Sequence, residues 1–443
     1  MHVNRSKPKK YTVCQTSSLS RPRFQTMESL SALNTAFALD LFKHECKTQT
    51  STNILFSPWS ISTAMATVYL GAKGNTASQI AEVFHFRKVG GAGAATTTIK
   101  PRPASSKMEA LVSNPCISLK KANLENSSNI HAAFQTLSSQ INQPTKNYLL
   151  KSINQLYGEK SSPLNKEYLQ SIKKYYHTEP QAVDFMGAAE EVRREINSSA
   201  EHQTEGKIQA LLPAKSVDSL TKLVLVNALY FKGNWAMKFK DGDTKEKPFR
   251  LNKNTTKPVQ MMFQRGKFNW TYIKTVRAHI VELPYVNYDL SMFILLPGDI
   301  NDDTTGLEML ERSLTYETLS KWTSSEMMEK TEVDVYLPRI KVEESYDLKS
   351  TLSSMGMRDA FSEDRADFRG MSEKNDLVLS NVFHKCFVEI NEEGTEAAAA
   401  TAATMESRSL ISTIQFAADH PFLFFIRHNQ TKTILFFGRF CSP

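Results

Sequence analysis

Nowhere does this chain run eighteen consecutive apolar residues, so no membrane-spanning helix is expected. Cysteine is scarce and odd in number. Cys14, Cys46, Cys116, Cys386 and Cys441 lie far apart, and no Cys-x-x-Cys pair occurs. That pattern fits free thiols in a reducing compartment better than a disulfide framework. Gly-x-Ser-x-Gly, His-Glu-x-x-His, Walker A and Gly-x-Gly-x-x-Gly are all missing, and Gly90 to Gly93 lack dinucleotide spacing. Hydrolase, metalloenzyme and nucleotide-enzyme readings thus find no support, and no metal or cofactor is expected. Residues 1–26 contain no acid. Arg5, Lys7, Lys9, Lys10, Arg21 and Arg23 supply six of the eight net positive charges. The rest of the chain is close to neutral, so a nucleic-acid partner is not expected.

What is present is a long chain, 443 residues at 41% hydrophobic composition, able to bury a large core. No linker-like break divides it, and one domain over 27–443 is expected. Residues 1–26 read as a basic, disordered extension with no apolar run suited to a signal peptide. Lys7-Pro8-Lys9-Lys10 has the composition of a nuclear signal. Residues 87–127 shift to Gly, Ala, Thr, Pro, Ser and Asn, which suggests a flexible interhelical loop.

The most informative stretch runs from Glu392 to about Ile411. Its alanine run is a good helix former, and Thr395 could cap such a helix. Read as a strand, Thr395, Ala397, Ala399, Thr401, Ala403 and Met405 share one face, small or apolar and uncharged. Glu396 and Glu406 fall on the other, with Ala398 and Ala400. Between Lys385 and Arg427, Arg408 is the only lysine or arginine. An arginine followed by Ser409 on a polar loop suits the anionic pocket of a trypsin-like protease.

Four blocks resemble the serpin family. They are Glu392-Glu393-Gly394-Thr395-Glu396 with Ala397 to Thr401, Phe416 to Ile426, Asn227 to Trp235, and Phe56 to Ser62. The resemblance covers about 27–443 and points to the ovalbumin-like intracellular group, clade B, whose members start much like Met27-Glu28-Ser29-Leu30. It implies an α+β fold of about nine helices around three β-sheets, with an exposed reactive-centre loop at 392–411. It further implies a hinge at Glu392, Gly394, Thr395, Glu396, Ala397, Ala398, Ala399, Ala400 and Thr401, and a scissile bond between Arg408 and Ser409. Ser57, Ser60, Asn197 and His384 are expected where the main sheet opens, with His384 holding a gate by hydrogen bonds. Trp235, Arg339 and Glu392 are expected at the loop's entry, the last two as an ion pair.

The resemblance implies an inhibitor rather than an enzyme, with trypsin-like serine proteases as covalent partners, no membrane and a monomeric state. A cytoplasmic location is expected, with the nucleus as a second compartment. The alternative is a non-inhibitory intracellular or nuclear binding protein. The helix near 129–143 has no Lys or Arg, so a glycosaminoglycan partner is not expected. The loop at 87–127 offers only Arg87-Lys88 and Lys120-Lys121 as basic pairs, a weak basis for nuclear import. Related chains carry an aromatic where this one has Ser199, so a packing defect against the sheet and lower stability are expected there.

Periodicity and punctuation set the remaining elements. Leu33, Phe37 and Leu41 mark a first helix, and Ser57-Pro58 opens a second. Helices are expected over 166–176 and 190–203. Strands are expected over 149–157, 222–231, 281–283, 290–296 and 332–342.

Overall fold

The computed structural model describes residues 21–86, 127–143, 145–394 and 413–443. Thr395 to Thr401, Arg408 and Ser409 therefore lie outside the described residues, as do residues 1–20 and 87–126.

The first half of the chain runs α1 (Arg21–Thr48), β1 (Ile54–Phe56), α2 (Pro58–Gly71), α3 (Gly74–Val83), α4 (Ser127–Ile141), β2 (Tyr148–Glu159), α5 (Lys166–Tyr176), β3 (Gln181–Val183), α6 (Phe185–Gln203) and β4 (Leu223–Gly233). It continues β5 (Lys245–Arg250), β6 (Thr256–Ile273), β7 (Ala278–Pro284), β8 (Leu290–Pro297), α7 (Glu308–Ser313), α8 (Tyr316–Trp322), β9 (Glu329–Pro338) and β10 (Ile340–Asp347). The last elements are α9 (Lys349–Met355), β11 (Leu379–Ile390), β12 (Ile414–Ala417), β13 (Phe422–His428) and β14 (Thr433–Phe440). The first helix begins six residues inside the segment expected to be irregular. Pro22 stands in its first turn, where the missing N–H costs nothing.

Among the described residues the strands form two hydrogen-bonded networks. The smaller is a five-stranded sheet in the order β10-β11-β4-β2-β3. The larger has nine strands, so two of the three expected sheets form one network among the described residues, joined through β6, which pairs with β9 over Met261–Trp270 and with β7 over Asn269–Ile273. The strand expected over 332–342 is two strands in different sheets. Pro338 ends β9 and Ile340 starts β10, leaving Arg339 alone in the break.

The five-stranded sheet is covered on both faces, which is why β4 (LVLVNALYFKG) is apolar almost throughout and nearly fully buried. On one face lies α2, part of the large core. On the other, α6 lays Phe185, Val192, Ile196 and Ala200 against Val224, Val226 and Ala228 of β4 and Phe383 and Phe387 of β11. The spacing 192, 196, 200 is one side of a helix. Asp184 caps the start of α6 by accepting from Gly187 N at 2.9 Å. Ser199 is exposed and accepts only from Gln203 Nε2 at 3.0 Å. The expected packing defect is therefore absent: position 199 faces water, and Ile196 and Ala200 make the contact with the sheet.

Candidate functional site: the sheet gate and the base of the loop

The middle of the five-stranded sheet is a seam of unusual direction. β4 runs antiparallel to β2, and β11 antiparallel to β10, but β4 and β11 run parallel to each other from Leu223/Leu379 to Phe231/Val388. A strand turning back from the end of β11 into this seam would lie antiparallel to both neighbours. One slanted parallel ladder would become two antiparallel ones, the more stable arrangement per residue.

A buried polar cluster crosses the seam. His384 of β11 is the register partner of Asn227 of β4, and its Nδ1–H donates to Asn227 Oδ1. Its Nε2 accepts from Ser57 N at 3.0 Å and faces the Cys386 thiol at 3.1 Å. Asn227 Nδ2 donates to Ser60 Oγ at 2.5 Å and to Asn154 Oδ1 of β2. Ser57 and Ser60 belong to the start of α2, where Ser57 Oγ accepts from Ser60 N at 3.1 Å as the helix cap. His384 is fully buried, and desolvation lowers its pKa to about 3, so it stays neutral. Desolvation likewise raises the Cys386 thiol well above its ordinary value, and it is inert as a nucleophile.

The neutral state of His384 has a pH consequence. Its folded pKa lies below the unfolded value, so stability is complete above the unfolded pKa near 6.5 and falls as pH drops toward about 3. Wild type is expected to lose about 1.4 kcal/mol per pH unit more than His384→Gln across the middle of that window, and about half that near its upper edge. Urea unfolding at several pH values checks this, and parallel slopes contradict it.

At the top of the seam the chain leaves β11 under several restraints. Glu392 is 3% exposed, and Arg339 Nε donates to its two oxygens at 2.8 and 3.0 Å. Thr244 Oγ1 adds a bond at 2.5 Å. Burial alone would raise the Glu392 pKa, but Arg339 and Thr244 outweigh it and hold the carboxyl below its usual range. Arg339 is half exposed, so the pair contributes less than a fully buried one. Lys238 pairs with Glu393. The Trp235 indole, stacked on Tyr285 at 4.5 Å, donates from Nε1 to Asn391 O at 3.0 Å, and Trp235 N donates to Glu393 O at 3.1 Å. The base of the loop is thus tied to the end of β4, directly over the seam.

A family model described as "Serpin (serine protease inhibitor)" matches residues 32–443. The chain belongs to the serpin family. It is similar to Serpin B10 of Homo sapiens, 52% identical over 417 residues, which span 94% of this chain and all of that one. It is also similar to plasminogen activator inhibitor 2 of Homo sapiens, 50% identical over 419 residues with the same coverage of each chain. Among solved structures, a loop-inserted form of a cleaved ovalbumin mutant covers 94% of this chain and all of its own at TM-score 0.77 and 36% identity. These likenesses place the protein among protease inhibitors of clade B and not among enzymes.

In this serpin, Ser57, Ser60 and His384 meet at the seam, and Trp235, Arg339 and Glu392 meet at the loop's base. Asn197 does not join the first group. It lies on α6, across the sheet from α2, where its amide donates to Leu212 O at 2.9 Å and accepts from Leu212 N at 2.7 Å. It pins α6 to the following loop. Asn227, Asn154, Thr244 and Lys238 belong to these sites but were not singled out from the sequence. For Asn227 the signal was available, as a lone amide inside the apolar run Leu223–Phe231.

Gly394 is held at φ +93° with an ideal Cβ position 2.4 Å from both Gly233 O and Trp235 N. No side chain fits there. Gly394→Ala is expected to cost on the order of 2 kcal/mol by chemical denaturation or to push the hinge off β4. An unchanged midpoint together with unchanged Trp235 fluorescence excludes both.

Proposed function

We propose that this serpin inhibits trypsin-like, arginine-specific serine proteases as a suicide substrate, with Arg408–Ser409 as the scissile bond. The protease serine attacks the Arg408 carbonyl, the C–N bond to Ser409 breaks with a proton passing to the leaving amine, and an ester links Arg408 to the enzyme. The freed segment from Thr395 onward then enters the seam between β4 and β11, as a strand added to a sheet. From Gly394 to Arg408 is fourteen residues. At about 3.3 Å each, the acyl-enzyme travels on the order of 40 Å. One observation carries the reading: a parallel central pair with the loop's base pinned over it, followed by a hinge with a small, uncharged face. The loop-inserted ovalbumin structure and the relative named as a protease inhibitor support it.

We further assign the serpin domain to 27–443, with 1–26 as an added extension, a monomeric state, and a cytoplasmic location with the nucleus as a second compartment. The test of function is incubation with trypsin. An SDS-stable complex is expected, and clean cleavage without complex favours the non-inhibitory binding protein. Arg408→Ala is expected to slow trypsin capture by about a thousandfold or more, since the cation that fills the protease pocket is gone. Unchanged capture places the scissile bond elsewhere, at Met405 or Leu410.

A further inference from the structure

The chain holds one Asp-Gly pair, Asp241-Gly242, and no Asn-Gly. The pair sits in a single exposed turn of 3-10 helix, Asp241–Asp243, just before β5. Two bonds close the turn, from Asp243 N to Lys240 O at 2.9 Å and from Thr244 N to Asp241 O at 3.2 Å, and neither uses the Gly242 N–H. So short and exposed a turn opens at little cost. Gly242 brings no Cβ to crowd its own amide, and a Cβ built there would meet nothing within 4 Å. Its nitrogen can therefore reach the Asp241 carboxyl carbon. The N–Cγ bond forms and the Cγ–O bond breaks, the oxygen leaving as water with the amide proton and one more. The product is a five-membered succinimide. Water then adds at the Asp241 main-chain carbonyl and the old peptide C–N bond breaks. The chain now runs through Cβ and Cγ, as a β-aspartyl residue.

The same turn is part of the loop's anchorage. Phe239 N donates to Glu392 O at 3.0 Å, and Thr244 Oγ1 donates to Glu392 Oε1 at 2.5 Å. Residues 240–243 are thus the arch of a bracket that grips Glu392 at both its main chain and its carboxylate, beside the bonds from Arg339. A β-aspartyl residue lengthens the main chain between the two grips by one C–C bond, about 1.5 Å. The turn that set their spacing is lost, and hydrogen bonds weaken steeply over such a displacement. We propose that Asp241 isomerises spontaneously through a succinimide with Gly242, and that the isomer loosens the hold on Glu392, an age-dependent release of the loop's base. The effect on protease capture rests on the inhibitor reading, and the isomerisation does not.

Full-length protein held for several weeks at body temperature and neutral pH, then unfolded and mapped with a lysine-specific protease, tests it. The peptide Asp241–Lys245 is expected to split into two species of equal mass, one of which accepts a methyl group from S-adenosylmethionine through an isoaspartyl methyltransferase. Gly242→Ala is expected to remain one species over the same weeks, and its methyl enters open space at a position outside the left-handed region. Asp241→Asn, which releases ammonia in place of water, is expected to convert sooner. Trypsin captured per mole of wild type is expected to fall in step with the β-aspartyl fraction and to hold level in Gly242→Ala. A wild-type peptide that stays single, or that converts only in urea, overturns the site. A β-aspartyl fraction that grows while capture stays level overturns the hold on Glu392. If fresh wild type captures no trypsin at all, the inhibitor reading fails, and the peptide map alone still decides the site.

Discussion

Cleavage of the Arg408–Ser409 bond is expected to raise the midpoint of thermal unfolding by roughly 20 °C. The uncut protein spends its central ladder on a parallel pair, Leu223–Phe231 against Leu379–Val388. Once cut, about a dozen residues from Thr395 gain ladder partners on both sides. At ~1 kcal/mol net per hydrogen bond this is on the order of 10 kcal/mol. Opposing it are the loss of the β4–β11 ladder, the Asn227–His384 bond across it, and the shift of α6 over both strands. The α6 shift is reversed when the sheet closes around six strands; the β4–β11 ladder and the Asn227–His384 bond are not remade, and the two new ladders must exceed them. The measurement is a calorimetric scan of intact protein against protein nicked in the loop by a metalloprotease, which forms no acyl-enzyme and is therefore not trapped. A midpoint that stays in place after complete nicking would falsify the stored-energy account, and inhibition by insertion would go with it.

Thr395→Arg is expected to turn the inhibitor into a substrate. Position 395 follows directly on the pinned turn Asn391–Gly394 and is the first residue to enter the seam. Both faces of β4 are covered, by α2 on one side and α6 on the other. Thr395 opens the small, uncharged face of the inserting strand, the one expected to be buried. A guanidinium dragged in without a partner carries a desolvation cost of several kcal/mol. If only 3 kcal/mol of that appears in the insertion step, insertion slows about a hundredfold. Hydrolysis of the acyl-enzyme then overtakes insertion. On gels, the SDS-stable band is expected to shrink to a trace while cleaved protein accumulates. A complex yield equal to wild type places the strand's burial elsewhere.

Much of the architecture could be read before any coordinates existed, and the failures have physical causes. Helix α5 runs over Lys166–Tyr176 as expected, because Asn165 caps it and its charged and apolar residues alternate at helical spacing. The β4 core was visible as a run of Leu and Val. The Arg339–Glu392 contact followed from family resemblance and is met in space, yet the strand thought to contain Arg339 is broken there. Its alternation at Val333, Val335 and Leu337 resumes one residue out of phase at Ile340 and Val342, so Pro338 and the slip marked the break that a single strand over 332–342 read through. Asn197 and Ser199 were placed by family resemblance, and the facing of one helix corrects both. Helix α6 begins at Phe185, five residues earlier than expected, with non-helical backbone at Ala188. Facing is settled by Val192, Ile196 and Ala200, which leaves 197 at the flank and 199 in water. The cluster around Asn227 joins residues 57, 60, 154, 227 and 384, and no local pattern links such distant positions.

The thiol of Cys386 lies directly beneath the seam, wholly enclosed, and touches the imidazole of His384. A maleimide in solution can reach it only when the two strands breathe apart. Its alkylation rate, followed at the Cys386 peptide by mass spectrometry, is therefore a stopwatch on sheet opening in the resting protein, readable without any protease.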